Sequence, residues 1–271
     1  MLRFAVSSWS LDGLLNSGTS LLELIELLPK HQIGTLEICH FHLPSTDEIY
    51  LETLKQRLQA AGVELFSILL DAGNIASSDP AQIAADNLLI RHWIDVAATL
   101  GAQRIRIDAG LEPPTPEVIA QSARRLQEFV QIAALRGLRV STENWHATSQ
   151  NPEGLLEILE RCAGTVGHET VGHATIGHAT IGLCADTGNA EASSDKYQTL
   201  SLLLPKASSV HFKPRYTANG DIDLADLEFC VKLMKQANFD GVLTLIFDHK
   251  LDEWQGIARL REALQLRLAL G

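Results

Sequence analysis

Leu138–Trp145, LRVSTENW, is a short apolar run that ends in an acid and an amide, with His146 next in the chain. Its aliphatic and β-branched content reads as a buried strand. A few residues on, Asn151-Pro152-Glu153 marks a helix start, a capping side chain followed by a proline whose fixed φ suits the first turn. Upstream, a helix predicted from Thr115-Pro116 closes on Gly137. The repeating unit is a strand, a polar strand end and a helix, and it can be followed in both directions.

Towards the N-terminus, LRFAVSSW (2–9), GTLEICHFHL (34–43), VELFSILLDAG (63–73) and QRIRIDAG (103–110) read as strands. Between them lie helices. The first, TSLLELIELLPKH, offers Thr19 or Ser20 as N-cap and Glu23 to complete a capping box. The second closes on Gly62, and the third starts at Asp79-Pro80. Towards the C-terminus, TIGLCADTG (180–188), ASSVHFKPR (207–215) and GVLTLIFDH (241–249) are further strands, and DEWQGIARLREALQLRLAL is the last helix. Strands read as near-continuous apolar runs, each followed by a helix, imply a parallel sheet covered by helices. Eight such units predict a closed α/β barrel, (β/α)8, forming a single domain over residues 1–271. An open doubly wound sheet would carry a Gly-x-Gly-x-x-Gly turn after the first strand, and SSWSLDG has none.

The chain has 271 residues, 46% hydrophobic and 20% charged, enough for a sizeable core. No run reaches the roughly 18 to 20 apolar residues of a membrane span, and the start lacks a signal peptide's apolar core, so a cytoplasmic protein is expected. Four cysteines, Cys39, Cys162, Cys184 and Cys230, lie far apart and read as buried reduced thiols. The formal net charge of −11 counts against nucleic acid as a partner.

In such a barrel the chemistry sits at the C-terminal ends of the strands. Those ends carry Glu37, His40 and His42; Asp71 and Asn74; Arg106 and Asp108; Glu143, Asn144 and His146; Asp186 and Asn189; His211, Lys213 and Arg215; and Asp248. Glu143, Asp186 and His211, from strands five, six and seven, would converge as an O/N ligand set suited to one divalent metal, Mn, Mg, Co or Zn. Singly, each could equally cap a helix or pair with a basic residue. Arg106 either binds an anion or pairs with Asp108, while His40 and His42 suit hydrogen-bonding roles. Lys213 shares the parity of His211 and should point inward, towards substrate or a barrel carboxylate. Trp9, Trp145 and Phe212 could wall an apolar side of the pocket, although core packing is the default for aromatics.

GTLEI, LGAQRIRIDAG, STENWH, GLCADTGN and VHFK together resemble the motifs of the xylose-isomerase-like TIM-barrel superfamily, the sugar phosphate isomerase/epimerase group related to AP endonuclease family 2. The resemblance spans essentially the whole chain. It implies a metal held by Glu143, Asp186 and His211, with a fourth ligand from strand eight. There the chain departs from the pattern, because Ile246 fills the place of the usual glutamate and Asp248 lies two residues on, with the same parity. In the family, metal-bound glutamates on strands five and eight move a proton on either face of an enediolate. Here the implied acid/base groups are Glu143 and, for the second, Asp248, His146 or Lys213. Lys213, Arg215, Arg106, Asn189 and Glu37 are the implied substrate-binding residues.

The function expected is isomerisation or epimerisation of a small sugar, sugar phosphate or keto acid, a polyhydroxy carbonyl substrate deprotonated next to a polarised carbonyl. The alternatives are a lyase of the inosose dehydratase kind and, given Ile246, a barrel that binds a metabolite without converting it. Family members are often dimers or tetramers, so a homo-oligomer is compatible. One stretch stands outside this pattern. Residues 167–181, GHETVGHATIGHATI, repeat a Gly-His pair every five residues at His168, His173 and His178. Residues five apart fall about 140° apart on a helix, so the three histidines should not share a metal. The repeat reads as a tandem insertion between helix five and strand six, on the face of the barrel away from the chemistry.

Overall fold

The computed structural model describes residues 2–163, 180–249 and 251–269. Eight parallel strands, β1 (Arg3–Ser7), β2 (Thr35–Cys39), β3 (Glu64–Leu70), β4 (Arg104–Ile107), β5 (Arg139–Glu143), β6 (Gly182–Asp186), β7 (Ala207–Phe212) and β8 (Val242–Leu245), form a closed barrel in sequence order. Closure is made by β1 on β8, in register from Arg3↔Val242 to Val6↔Leu245. Outside it run α1 (Leu21–Leu27), α2 (Glu48–Ala61), α3 (Pro80–Leu100), α4 (Pro116–Ala134), α5 (Pro152–Ala163), α6 (Lys196–Leu203), α7 (Leu224–Gln236) and α8 (Glu253–Ala269). The tandem repeat falls between α5 and β6, and apart from Thr180 and Ile181 it lies outside the described residues.

The helix starts follow local chemistry. Ser20 and Glu23 form a reciprocal capping box on α1, Asp79 caps α3 ahead of Pro80, and Thr115 caps α4 ahead of Pro116. Gly62 and Gly101 end α2 and α3 in the left-handed conformation. Among the described residues no helix is long and apolar enough to cross a membrane.

The strands differ from the expected continuous apolar runs in an informative way. One face of each packs against the helices: Leu36, Ile38, Ile68, Ile105, Ile107, Leu183, Val210, Phe212 and Leu243 all belong to the main core and are almost fully buried. The alternate residues, among them Glu37, Ser67, Arg104, Arg106, Glu143, Ser209 and His211, are just as buried but polar. Outward burial of a leucine or isoleucine contributes roughly 1.5 to 3 kcal/mol, which offsets the cost of an interior built of charges that must satisfy one another. Parity also corrects one expectation, since Phe212 follows the inward His211 and therefore packs in the helix layer rather than walling the pocket. Low in the barrel, Phe66, Ala5 and Val242 form a small separate cluster, with the Arg104 guanidinium 4.2 Å above the Phe66 ring.

Gly110, just past β4, ties the fold to the site. Its φ of +132° is a conformation that side chains rarely adopt, and an added Cβ would overlap Ala76 and crowd Thr148. The Thr148 N–H donates to the Gly110 carbonyl (3.4 Å), and Thr148 sits on the short helix His146–Gln150 that carries His146 over the barrel mouth. Gly110→Ala should destabilise the protein by about 2 kcal/mol or more, read as a lowered denaturation midpoint at unchanged slope.

Candidate metal centre at the barrel mouth

Strands five, six and seven bring three donor groups together. His211 Nδ1 lies 3.4 Å from Glu143 Oε2 and 3.7 Å from Asp186 Oδ2. Each is held from behind by a different part of the chain. The Nε2 of His211 is hydrogen-bonded to Glu37 Oε2 across the barrel (2.8 Å). Asp186 Oδ1 accepts from the backbone N–H groups of Gly188 (2.6 Å) and Asn189 (2.7 Å), and Glu143 Oε1 accepts from Asn189 Nδ2 (2.8 Å). His211 Nδ1 is left facing Glu143 Oε2 and Asp186 Oδ2. Glu143 Oε2 is buried without a hydrogen-bond partner, an expensive state for a carboxylate oxygen.

These donors fit a divalent cation. With ligand bonds of about 2.0 to 2.2 Å, neighbouring ligand atoms stand about 3.0 to 3.5 Å apart. His211 Nδ1–Glu143 Oε2 has that separation and His211 Nδ1–Asp186 Oδ2 is slightly longer. Asp186 lies outside the set of ligand atoms within 4.8 Å of one another, so holding one ion with all three draws Asp186 inward. The Glu37–His211 bond is the usual outer-sphere arrangement of a ligating histidine, fixing the ring and leaving one nitrogen inward. Burial alone would lower the His211 pKa, but the surrounding Cys184, Glu143, Glu37 and Asp186 drive it well above the ordinary imidazole value. A cation would take the place of that proton at Nδ1.

Next to the donors, Arg106 is buried among carboxylates. It pairs with Asp108, with Asp71 (2.5 Å) and, through Nε, with Glu143 Oε2 at 3.3 Å. Burial acts against its charge, but the three acids prevail and hold it firmly protonated. The acids divide unequally. Burial pushes Asp108 up to about 7 despite Arg106, whereas at Asp71 the attraction of Arg106 outweighs burial and the pKa falls. His146, with φ +63°, holds Nε2 3.6 Å from Asp108 Oδ2, and burial lowers its pKa.

The cavity above these groups has a volume of about 300 Å³ and is lined by Glu143, Asp186, His211, Arg106, Asn189, Lys213 and His146, with Trp9, Trp145 and Ile246 as apolar walls. That is the small end of ligand pockets, roughly 300 to 1,000 Å³. Several expected positions are elsewhere. Glu37 is buried beneath the cavity and serves His211 rather than its contents. Arg215, beyond Pro214 and past the end of β7, is clasped through Nε and Nη2 by Glu191 (both 2.8 Å) and does not line the mouth. Asp248 is also absent from this lining. Past β8 the chain carries it to the rim, where it pairs with Lys213, and the place facing the donors is taken by Ile246, 4% exposed. His42 bonds Ser8 and Asp12, and His40 Nδ1 accepts from the Asp71 N–H.

One residue was overlooked. Cys184 offers a ligand atom that, with one each from Glu143 and His211, forms a set lying within 4.8 Å of one another. The signal was its parity, because Cys184 precedes Asp186 by two residues on β6 and must face the same way.

A family model described as xylose isomerase-like TIM barrel matches residues 22–267. No curated protein matches the sequence. Among solved structures, an L-ribulose 3-epimerase superposes with a TM-score of 0.76 at 16% identity, covering 100% of this chain and 95% of its own. A D-tagatose 3-epimerase-like protein gives 0.73 at 19%, covering 99% and 98%. A xylose isomerase-like TIM barrel protein from Mycobacterium smegmatis, in complex with magnesium, gives 0.68 at 14%, covering 99% and 97%. At such identities the likeness is one of fold.

Two outcomes follow from the geometry. Glu37→Gln should weaken Mn²⁺ or Zn²⁺ binding about 10- to 100-fold, measured by competition with a chromophoric chelator, because His211 loses its anchor. In the metal-free protein, Asp108 binds its proton more tightly folded than unfolded. Its contribution therefore favours the folded state at low pH and is lost as pH rises from about 4 to about 7. The melting temperature of Asp108→Asn should accordingly fall less between pH 5 and pH 8 than that of the wild type.

Proposed function

Since the chain belongs to the xylose isomerase-like TIM barrel family, we propose that it is a divalent-metal-dependent isomerase or epimerase of a small, uncharged polyhydroxy carbonyl compound. The observation that carries this reading is the pair of outwardly supported carboxylate oxygens, Glu143 Oε2 and Asp186 Oδ2, that face His211 Nδ1 on the floor of a cavity of monosaccharide size. A bound metal ion would act there as a Lewis acid on the substrate's carbonyl oxygen, making the adjacent C–H more acidic.

Glu143 supplies both a donor and a base. Oε2 faces His211, while Asn189 fixes the carboxylate's rotation through Oε1, and a carboxylate so held can take the proton. Arg106 Nε, 3.3 Å from Oε2, steadies the charge on Glu143 without blocking it. Trp9 and Trp145, 42% and 39% exposed, offer flat faces for the C–H side of a sugar ring.

The preference for an uncharged substrate comes from the cations. Among the described lining residues, Arg106 is neutralised by acids and Lys213 by Asp248, and Arg215 is clasped by Glu191 away from the mouth. A phosphate or carboxylate would have to break one of these pairs, in a chain of net charge −11. Sugar phosphates and keto acids are therefore disfavoured relative to free sugars.

The number of bases bears on the reaction. A proton shift between adjacent carbons on one face needs one base, whereas inversion at one carbon needs a donor on the opposite face. With Ile246 on the β8 side, the pocket-lining His146 takes that role; because burial lowers its pKa, it first gains a proton from solvent and delivers it as the imidazolium. Solvent deuterium exchange into a panel of ketoses and aldoses, with the protein loaded with Mn²⁺, tests the reading. Exchange should occur and fall about 10²- to 10⁴-fold in Glu143→Gln. Absence of exchange from every sugar, with metal bound, would count against catalysis and favour a binding protein. If the reaction is epimerisation, His146→Gln should retain exchange into the substrate while losing the inverted product.

A further inference from the structure

Cys184 is the buried reactive group that the reading above leaves unused. It lies on β6 at 2% exposure and, among the described residues, belongs to a mutually close set of ligand atoms with Glu143 and His211 that does not include Asp186. A buried thiol alone would be unremarkable, and Cys39, Cys162 and Cys230 are buried in the same way. Here a second observation points to a ligand: Glu143 Oε2, in the same set, is fully buried and accepts no hydrogen bond, its charge faced by Arg106 Nε at 3.3 Å and His211 Nδ1 at 3.4 Å. Glu143 and His211 therefore form a compact triad with the Cys184 sulfur, and His211 also contacts the Asp186 carboxylate, which lines the mouth.

We propose that Cys184 is a metal ligand, and that the centre holds soft divalent ions such as Zn²⁺ or Co²⁺ through Glu143, Cys184 and His211 while harder ions such as Mn²⁺ or Mg²⁺ use Glu143, Asp186 and His211. The inference rests on the metal-dependent reading of the site and sharpens it to which metal the chain selects. Donor softness decides between the sets. Thiolate favours Zn²⁺ and Co²⁺, and an all-carboxylate-and-imidazole set suits Mg²⁺ and Mn²⁺. Ligation by sulfur needs the thiolate, so the Cys184 proton leaves to solvent as the metal–sulfur bond forms, with no change of oxidation state. Three protein donors leave a coordination position open, as in catalytic zinc centres and unlike closed structural ones. Just past β8, Ile246 presents only hydrocarbon to the cavity.

X-ray absorption on the full-length wild-type protein loaded with one equivalent of Zn²⁺ should show a sulfur scatterer at about 2.3 Å beside nitrogen and oxygen at about 2.0 to 2.2 Å. The Co²⁺ form should show a sulfur-to-cobalt charge-transfer band in the near ultraviolet, absent from Cys184→Ser and Cys184→Ala but retained in Cys39→Ser. Cys184→Ser should lower Zn²⁺ affinity at least about tenfold, the smaller of the losses known for residues that merely support a ligand, and leave Mn²⁺ affinity essentially unchanged. Asp186→Asn should do the reverse. Zinc bound by nitrogen and oxygen alone, or a sulfur signal that survives in Cys184→Ser, would overturn the assignment while leaving the metal-dependent reading intact. Failure of the wild type to bind either Zn²⁺ or Mn²⁺ would instead overturn that reading, and this inference with it.

Discussion

The interior of this barrel depends on the burial of Arg106. One guanidinium, held charged by Asp71, Asp108 and Glu143, allows three carboxylates to sit within a few ångströms of one another away from water. Without it the acids would protonate or separate, since isolated buried charges cost several kcal/mol each. Three acids against one base still leave an excess of negative charge. Part is removed by the raised pKa of Asp108, and part is directed at the donor cluster, where His211 is drawn into its charged form. A centre that attracts a proton so strongly is one built to attract a cation.

The outer surface of the barrel is governed by the complementary constraint. Each strand gives alternate residues to the helices, and those positions are aliphatic almost without exception. This made the fold legible in the sequence, because apolar strand residues and capped helix starts such as Ser20, Asp79 and Thr115 report local structure by themselves. The placement of Glu143 and Asp186 against His211 was legible for a related reason, since a residue at a barrel strand's C-terminal end has a known destination.

What was not legible depends on where chains go after the strands stop. Parity predicts direction only while the backbone remains extended. Lys213 is still aligned with His211, but Pro214 turns the chain and Arg215 departs to Glu191. Asp248 keeps the parity of Ile246 yet rises to the rim, where Lys213 is the nearer partner. Glu37 failed as a substrate contact for the opposite reason. It lies too deep, and only the three-dimensional register of β2 against the facing strand could reveal that it supports His211. The inward direction of Cys184 is within reach of the parity rule, whereas the spacing of the four cysteines from one another carries no sign of it.

The cluster at the other end of the barrel sets the traffic of the molecule. Phe66, Ala5 and Val242 fill the lower interior and Arg104 lies across the Phe66 ring, its guanidinium tied to Ser208. The barrel is consequently a cup with one opening. Whatever enters past Trp9 and Trp145 must leave by the same route, so that product occupying the cup excludes the next substrate. Among the described residues the donor groups open to solvent over the rim, and an occupant large enough to cover Glu143 and His211 separates them from it for as long as it stays.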